Sequence, residues 1–296
     1  MKLLLYRQLL KSARAFEQLS RKASGAARQL LPPAKVSIAQ CEAIKWQNVR
    51  PCFVLSTGRS GTLLLTKLLE LSPHIAVVHQ PKPELVRASK LAYEQIKNSP
   101  DIFRETFKSA REEYVLEALM FNQVFVETNN RITFFAPIIR DVFPNAAYIH
   151  LVRHPGDFVR SGIRRHWYSD QHEHDIGRIV PYSGDIKSRW PSLTAIEKIG
   201  WLWHETNQFI EDAKENLPEQ DVLFVQAEQL FADVRVTQAI FSFLQQECPP
   251  LSLIKKNLTP TNVQKKGDFP PYSAWPESDR QLLQNIAPLM KKYNYR

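Results

Sequence analysis

Cysteine is scarce: Cys41, Cys52 and Cys248 are the only three in 296 residues. An odd, widely spaced set without a CxxC pair implies neither a disulfide framework nor a zinc site, and it fits a reducing, cytoplasmic setting. Long apolar runs are missing too. The longest, such as residues 3–5 and 149–152, fall far short of the roughly 20 residues a bilayer-spanning helix needs, so no transmembrane span is expected. The opening MKLLLYRQLLKSARAF is interrupted by Arg7, Lys11 and Arg14. With no small-residue cleavage site after a continuous apolar core, it does not read as a secretory signal. Internal repeats and low-complexity tracts are absent as well.

Acidic residues are nearly absent from residues 1–50, which hold ten Lys and Arg against Glu17 and Glu42. That stretch carries a net +8 of the chain's +9, leaving the rest close to neutral at +1. A nearly neutral body argues against a phosphate-tracking face and hence against a nucleic-acid partner. Within the basic stretch, Leu3, Leu4, Tyr6, Leu9, Leu10, Ala13, Phe16 and Leu19 follow helical spacing with cations opposite them. Such a helix packs on its own domain or on a second subunit, as in a homodimer; contact with a membrane surface is the other reading. Ser24-Gly25 and Pro32-Pro33 then break the pattern, so residues 1–50 read as helix and linker and residues 51–296 as one domain.

From Cys52 onward short apolar runs alternate with longer helical patterns. FVLS (53–56), IAVVH (75–79), VFVE (124–127), YIHLV (148–152) and VLFV (222–225) read as buried strands, with helices over 63–71 and 195–216 among those between them. This alternation predicts an α/β domain with a central parallel sheet flanked by helices.

Two strand-turn-helix segments carry chemistry. In FVLSTGRSGTLLLTKLLEL (53–71), Gly58 and Gly61 let the backbone wrap an anion at a helix N-terminus. Arg59 adds a fixed cation, Ser60 and Thr62 add hydroxyls, and the N–H groups of Ser60 to Leu63 complete a P-loop-like phosphate or sulfate cradle. The spacing and lysine of GxxxxGK[ST] are missing, which weighs against a small-molecule P-loop kinase. In YIHLVRHPGDFVRSGIRRHWY (148–168), Arg153 leaves the strand, Pro155 sets the turn and Ser161 follows about two helical turns on. A cation and a hydroxyl so placed can grip a second phosphate.

At these two segments the chain resembles the sulfotransferases that use 3′-phosphoadenosine 5′-phosphosulfate (PAPS). In that family an RSGT-type loop holds the 5′-phosphosulfate and an Arg-x-Pro…Ser segment the 3′-phosphate. Lys265, Lys266 and Gly267 stand where the family has a loop closing on the 3′-phosphate, and the acid-bearing VLFVQAEQL adds a further match. The resemblance spans residues 52–293 and leaves 1–50 outside. It implies transfer of a sulfuryl group from PAPS to a small-molecule or carbohydrate acceptor, release of PAP, and no metal, since in-line transfer demands positioning and charge stabilisation above all.

A hydroxyl acceptor also needs a base, and here the chain departs from the family's frequent His-Glu-Pro: it reads His79-Gln80-Pro81. An amide cannot take a proton, so the role passes to His79, to Glu127 at the end of VFVE, or to Glu84. A nitrogen acceptor would need the base less, and Gln80 could then orient it. Gln80 also motivates the rival reading of a nucleotide-binding protein without turnover. His166, Trp167, Tyr168, His172 and His174, with Asp170, Glu173 and Asp175, read as an aromatic and acidic loop over the acceptor.

Overall fold

Each of the five apolar runs is a strand in the computed structural model, which describes residues 49–169, 173–258 and 269–295, Trp46, and scattered positions from 12 to 26. Chain order runs β1 (Cys52–Leu55), α1 (Thr62–Leu69), β2 (Ile75–Val78), α2 (Val86–Gln95), α3 (Pro100–Met120), β3 (Val124–Glu127), α4 (Ala136–Val142), β4 (Ala147–Val152) and α5 (Pro155–Ile163). It continues through α6 (Gly184–Arg189), α7 (Ala195–Lys214), β5 (Val222–Gln226), α8 (Ala227–Ala232), α9 (Val234–Phe243), α10 (Leu251–Asn257), α11 (Glu277–Ile286) and α12 (Leu289–Lys292).

The strands form one sheet in the order β2-β3-β1-β4-β5 with every pairing parallel. Central β1 is buried along its whole length and alternates its side chains between two cores. Cys52 and Val54 pack with Leu64 and Leu68 of α1 and Ile240 and Phe241 of α9. Phe53 and Leu55 face an aromatic core on the other side, where the Phe53 ring lies 5.5 Å from Phe107 and 5.9 Å from Phe143. Helices on both faces explain why the strands read as unbroken apolar runs, each large side chain contributing about 1.5–3 kcal/mol on burial. Burial pushes the Cys52 thiol up to about 12, so it is an inert core residue.

The described positions among residues 12–26 are helical and exposed. Phe16 and Leu19 are 78% and 67% exposed, so the packing onto the domain expected for this helix is not made at those positions. Among the described residues, no helix is long and apolar enough to cross a membrane.

Chain order positions the site. From β1 the chain moves toward β2 at one edge, whereas from neighbouring β4 it moves toward β5 at the other. The turns leaving β1 and β4 therefore diverge, and they open a crevice beyond the strands' carboxyl ends, where ligands of parallel sheets sit.

Candidate active site

The turn after β1 is shaped for an anion. Gly58, Arg59 and Gly61 all have left-handed backbones, with φ of 76°, 54° and 92°, a geometry that gathers successive N–H groups. Thr133 fixes the start of the turn: its Oγ1 accepts from Ser56 N and donates to Ser56 O, both at 3.0 Å. Gly61 begins α1 without a side-chain cap, which leaves the first-turn N–H groups of Thr62 and Leu63 for a ligand. A Cβ on Gly61 would lie 2.7 Å from the Phe231 ring, so the backbone here is close-packed as well as left-handed. Ser60 is fully buried, and among the described residues its Oγ has no hydrogen-bond partner. An orphaned buried hydroxyl among gathered N–H groups fits a bound phosphate or sulfate oxygen.

The turn after β4 is held from three sides. Trp203 Nε1 on α7 donates to Arg153 O at 2.8 Å, Glu228 Oε1 on α8 accepts from His154 N at 2.9 Å, and Pro155 opens α5. Glu228 belongs to the acid-bearing segment picked out in the sequence, and its role is to anchor this turn. Arg153 Nη1 then donates to Arg59 O at 3.1 Å, joining the two turns directly, while Nη2 reaches Asp157 at 3.4 Å.

Ser161, on α5, accepts at Oγ from Arg165 Nη1 at 2.6 Å. Arg165 was not singled out in the sequence. Burial and the nearby Arg59, Arg164, Arg153 and Arg178 push its pKa down to about 10. Arg59 is lowered too, first by burial and then by Arg153. Guanidinium groups crowd together at such an electrostatic cost where a multiply charged anion completes the site.

The Sulfotransferase family's sequence pattern matches residues 51–250, the span that holds both turns. The chain belongs to the sulfotransferase family. No curated protein matches its sequence. Among solved structures it is similar to the sulfotransferase domain from the curacin biosynthetic pathway, at 13% identity over 84% of this chain and 98% of that one, with a TM-score of 0.50. It is also similar to the sulfotransferase domain of the Synechococcus PCC 7002 olefin synthase, at 17% identity over 84% and 97%, with a TM-score of 0.48. A mouse sulfotransferase complexed with PAP matches at 12% identity over 90% and 95%, with a TM-score of 0.46. The curacin domain's likeness is one of fold.

The four positions that the sequence offered for the acceptor side, His79, Gln80, Glu127 and Glu84, have different surroundings. His79 is half-buried just beyond β2, and its Nδ1 lies 3.0 Å from Thr128 Oγ1. Burial pushes its pKa below the ordinary imidazole value of 6.5, against the upward pull of the Thr128 backbone and of Glu70 and Glu84. Gln80 is exposed, with a left-handed φ of 50°. Glu127 has no exposed surface, and both its oxygens are taken by Arg111, Nε to Oε2 at 2.6 Å and Nη2 to Oε1 at 2.9 Å. Asn129 Nδ2 also donates to Oε1 at 3.1 Å. Arg111, fully buried on α3, donates further to Pro83 O at 3.0 Å, so the Glu127 pair anchors the segment after His79. Glu84 is ion-paired with Lys82.

Trp167 and Tyr168 are not spread over an acceptor. Trp167 is buried against Phe158 at 5.4 Å, and the Tyr168 ring lies 5.1 Å from Trp190 while its hydroxyl donates to Ile179 O at 2.8 Å. Asp170 and His172 lie outside the described residues, as do Lys265, Lys266 and Gly267. Phe269, two residues past Gly267, has its carbonyl held by Arg160 Nε of α5 at 2.9 Å.

Proposed function

We propose that this protein transfers a sulfuryl group from PAPS to a hydroxyl, amino or guanidino group of a small-molecule or sugar acceptor and releases PAP. The observation that carries the reading is the junction of two cationic turns at the sheet's crevice, Arg153 bonded to Arg59 O beside the orphaned Ser60 hydroxyl. The donor supplies the sulfuryl group. Arg59, Ser60, Gly61, Thr62 and Leu63 hold the phosphosulfate end and stabilise the charge growing on the departing phosphate. Arg153, Ser161 and the segment of Lys265, Lys266 and Gly267 hold the 3′-phosphate, and Arg165 supports Ser161. His79, whose pKa burial lowers, takes the proton of a hydroxyl acceptor, and Gln80 orients that group. Family membership supports the reaction class.

Thermal shift tests the donor site and turnover tests the chemistry. PAP should raise the melting temperature where ATP does not, and Arg153→Ala should erase the advantage of PAP over adenosine 5′-monophosphate. With PAPS and a panel of alcohols, sugars, amines and guanidines, PAP release should fall by about 10²-fold or more in Arg59→Ala. Equal shifts from PAP and adenosine 5′-monophosphate in the unmutated protein would remove the 3′-phosphate assignment. Tight PAP binding with no release from PAPS across the panel would favour the non-catalytic binding protein that Gln80 suggests.

A further inference from the structure

A directional chain of hydrogen bonds connects His79 to the helix of the anion turn. Thr66, 4% exposed on α1, donates from Oγ1 to Thr62 O at 2.8 Å. Its Oγ1 also lies 2.6 Å from Thr128 Oγ1, and Thr128, just past β3, has no exposed surface. Thr128 Oγ1 in turn lies 3.0 Å from His79 Nδ1. A hydroxyl has one proton to give. With the Thr66 proton on the Thr62 carbonyl, which can only accept, it is Thr128 that donates across the 2.6 Å contact to Thr66. Thr128 then has none left for the ring, and the 3.0 Å contact requires a hydrogen on His79 Nδ1. The alternative donation from Thr128 to Val78 O spans 3.5 Å, and that carbonyl already accepts from Thr128 N at 3.0 Å. Even that arrangement leaves Nδ1 as donor.

We infer that Thr128 and Thr66 are positioning residues that fix His79 as its Nδ1–H tautomer and so leave Nε2 as the atom that takes the acceptor's proton. The inference rests on the reading of His79 as base. As the acceptor oxygen bonds to sulfur, its O–H bond breaks, the proton passes to Nε2, and the sulfur–oxygen bond to the phosphate breaks with its electron pair on the phosphate. The imidazolium keeps its Nδ1–H on Thr128, now as a charge-assisted bond, and later returns the Nε2 proton to solvent. Because the chain ends on Thr62, the residue that opens α1 beside the anion cradle, hydrogen bonds tie the base to the helix that carries the donor site.

Nitrogen-15 NMR on the full chain with PAP bound reads the tautomer without any acceptor. The expected result is a protonated Nδ1 and a bare Nε2 on His79 above its pKa. Thr128→Val, which keeps the side chain's shape but removes the hydroxyl, should shift the ring toward the Nε2–H form and lower its pKa, and Thr128→Ser should restore both. Glu70 and Glu84, the charged groups facing His79, act alike in all three proteins. An Nε2–H tautomer in the unmutated protein, or a tautomer and pKa indifferent to Thr128→Val, overturns the relay while leaving the donor site as argued. Full PAP release by His79→Ala in the acceptor panel overturns the base reading on which the inference rests, a failure that the NMR result does not share.

Discussion

Glu127 and His79 stand at the ends of neighbouring strands and look alike as base candidates in the sequence, but their partners separate them. A base must exchange a proton with a group that arrives and leaves. Glu127 has no surface for that exchange and spends both oxygens on Arg111, which also donates to Pro83 O. Removing one member of a buried pair strands the other charge. Glu127→Ala should therefore lower unfolding free energy by about 3–5 kcal/mol, read from urea titrations, and Glu127→Ala combined with Arg111→Met should recover part of it. A Glu127→Ala protein of unchanged stability that has lost only turnover would return the carboxylate to the chemistry. Nothing in VETNNR reveals this role, because the partner arginine lies sixteen residues upstream on a helix and reads as an ordinary charge.

At the scale of elements, the strands and the anion turn were the most legible features, since five apolar runs and a GRSGT turn before a helix are local patterns. What the sequence hid was contact between elements: Arg165 under Ser161, Glu228 under His154, and Thr66 against Thr128. The aromatic pair Trp167 and Tyr168 misled for the same reason, because each packs against a distant ring, Phe158 and Trp190. Gly61 combines both kinds of constraint. It needs a left-handed φ of 92° and lies under the Phe231 ring of α8. Gly61→Ala should cost about 1–3 kcal/mol from backbone conformation alone, with overpacking added, and should weaken the PAP-induced thermal shift. Adding Phe231→Ala should relieve only the packing part. Full rescue by that second change would mean that backbone conformation contributes nothing.

Across the whole molecule, Glu211 ties the far end of the chain to the sheet. Lys292 of α12, Lys214 of α7 and the Tyr293 hydroxyl donate to it at 2.7, 2.9 and 2.9 Å. Although burial pushes its pKa up, His150 and these three partners hold the carboxyl well below the ordinary value of 4.5. A carboxylate depressed in the folded state stabilises the protein above the unfolded pKa, and that contribution is lost as pH falls toward the folded value. Urea midpoints should therefore drop as pH is lowered below about 4.5, and Glu211→Gln should flatten that acid limb while lowering the midpoint at neutral pH; an acid limb unaltered by Glu211→Gln would place its origin elsewhere. The other concentration of charge works through the medium. Arg165 feels the positive charge of Arg59, Arg164, Arg153 and Arg178, and a small multivalent oxyanion bound near them would relieve that repulsion. If the donor binds here as proposed, inorganic sulfate or phosphate should compete with it as well as stabilise the fold, so a preparation in ammonium sulfate and one in sodium chloride should differ in what the first substrate molecule has to displace.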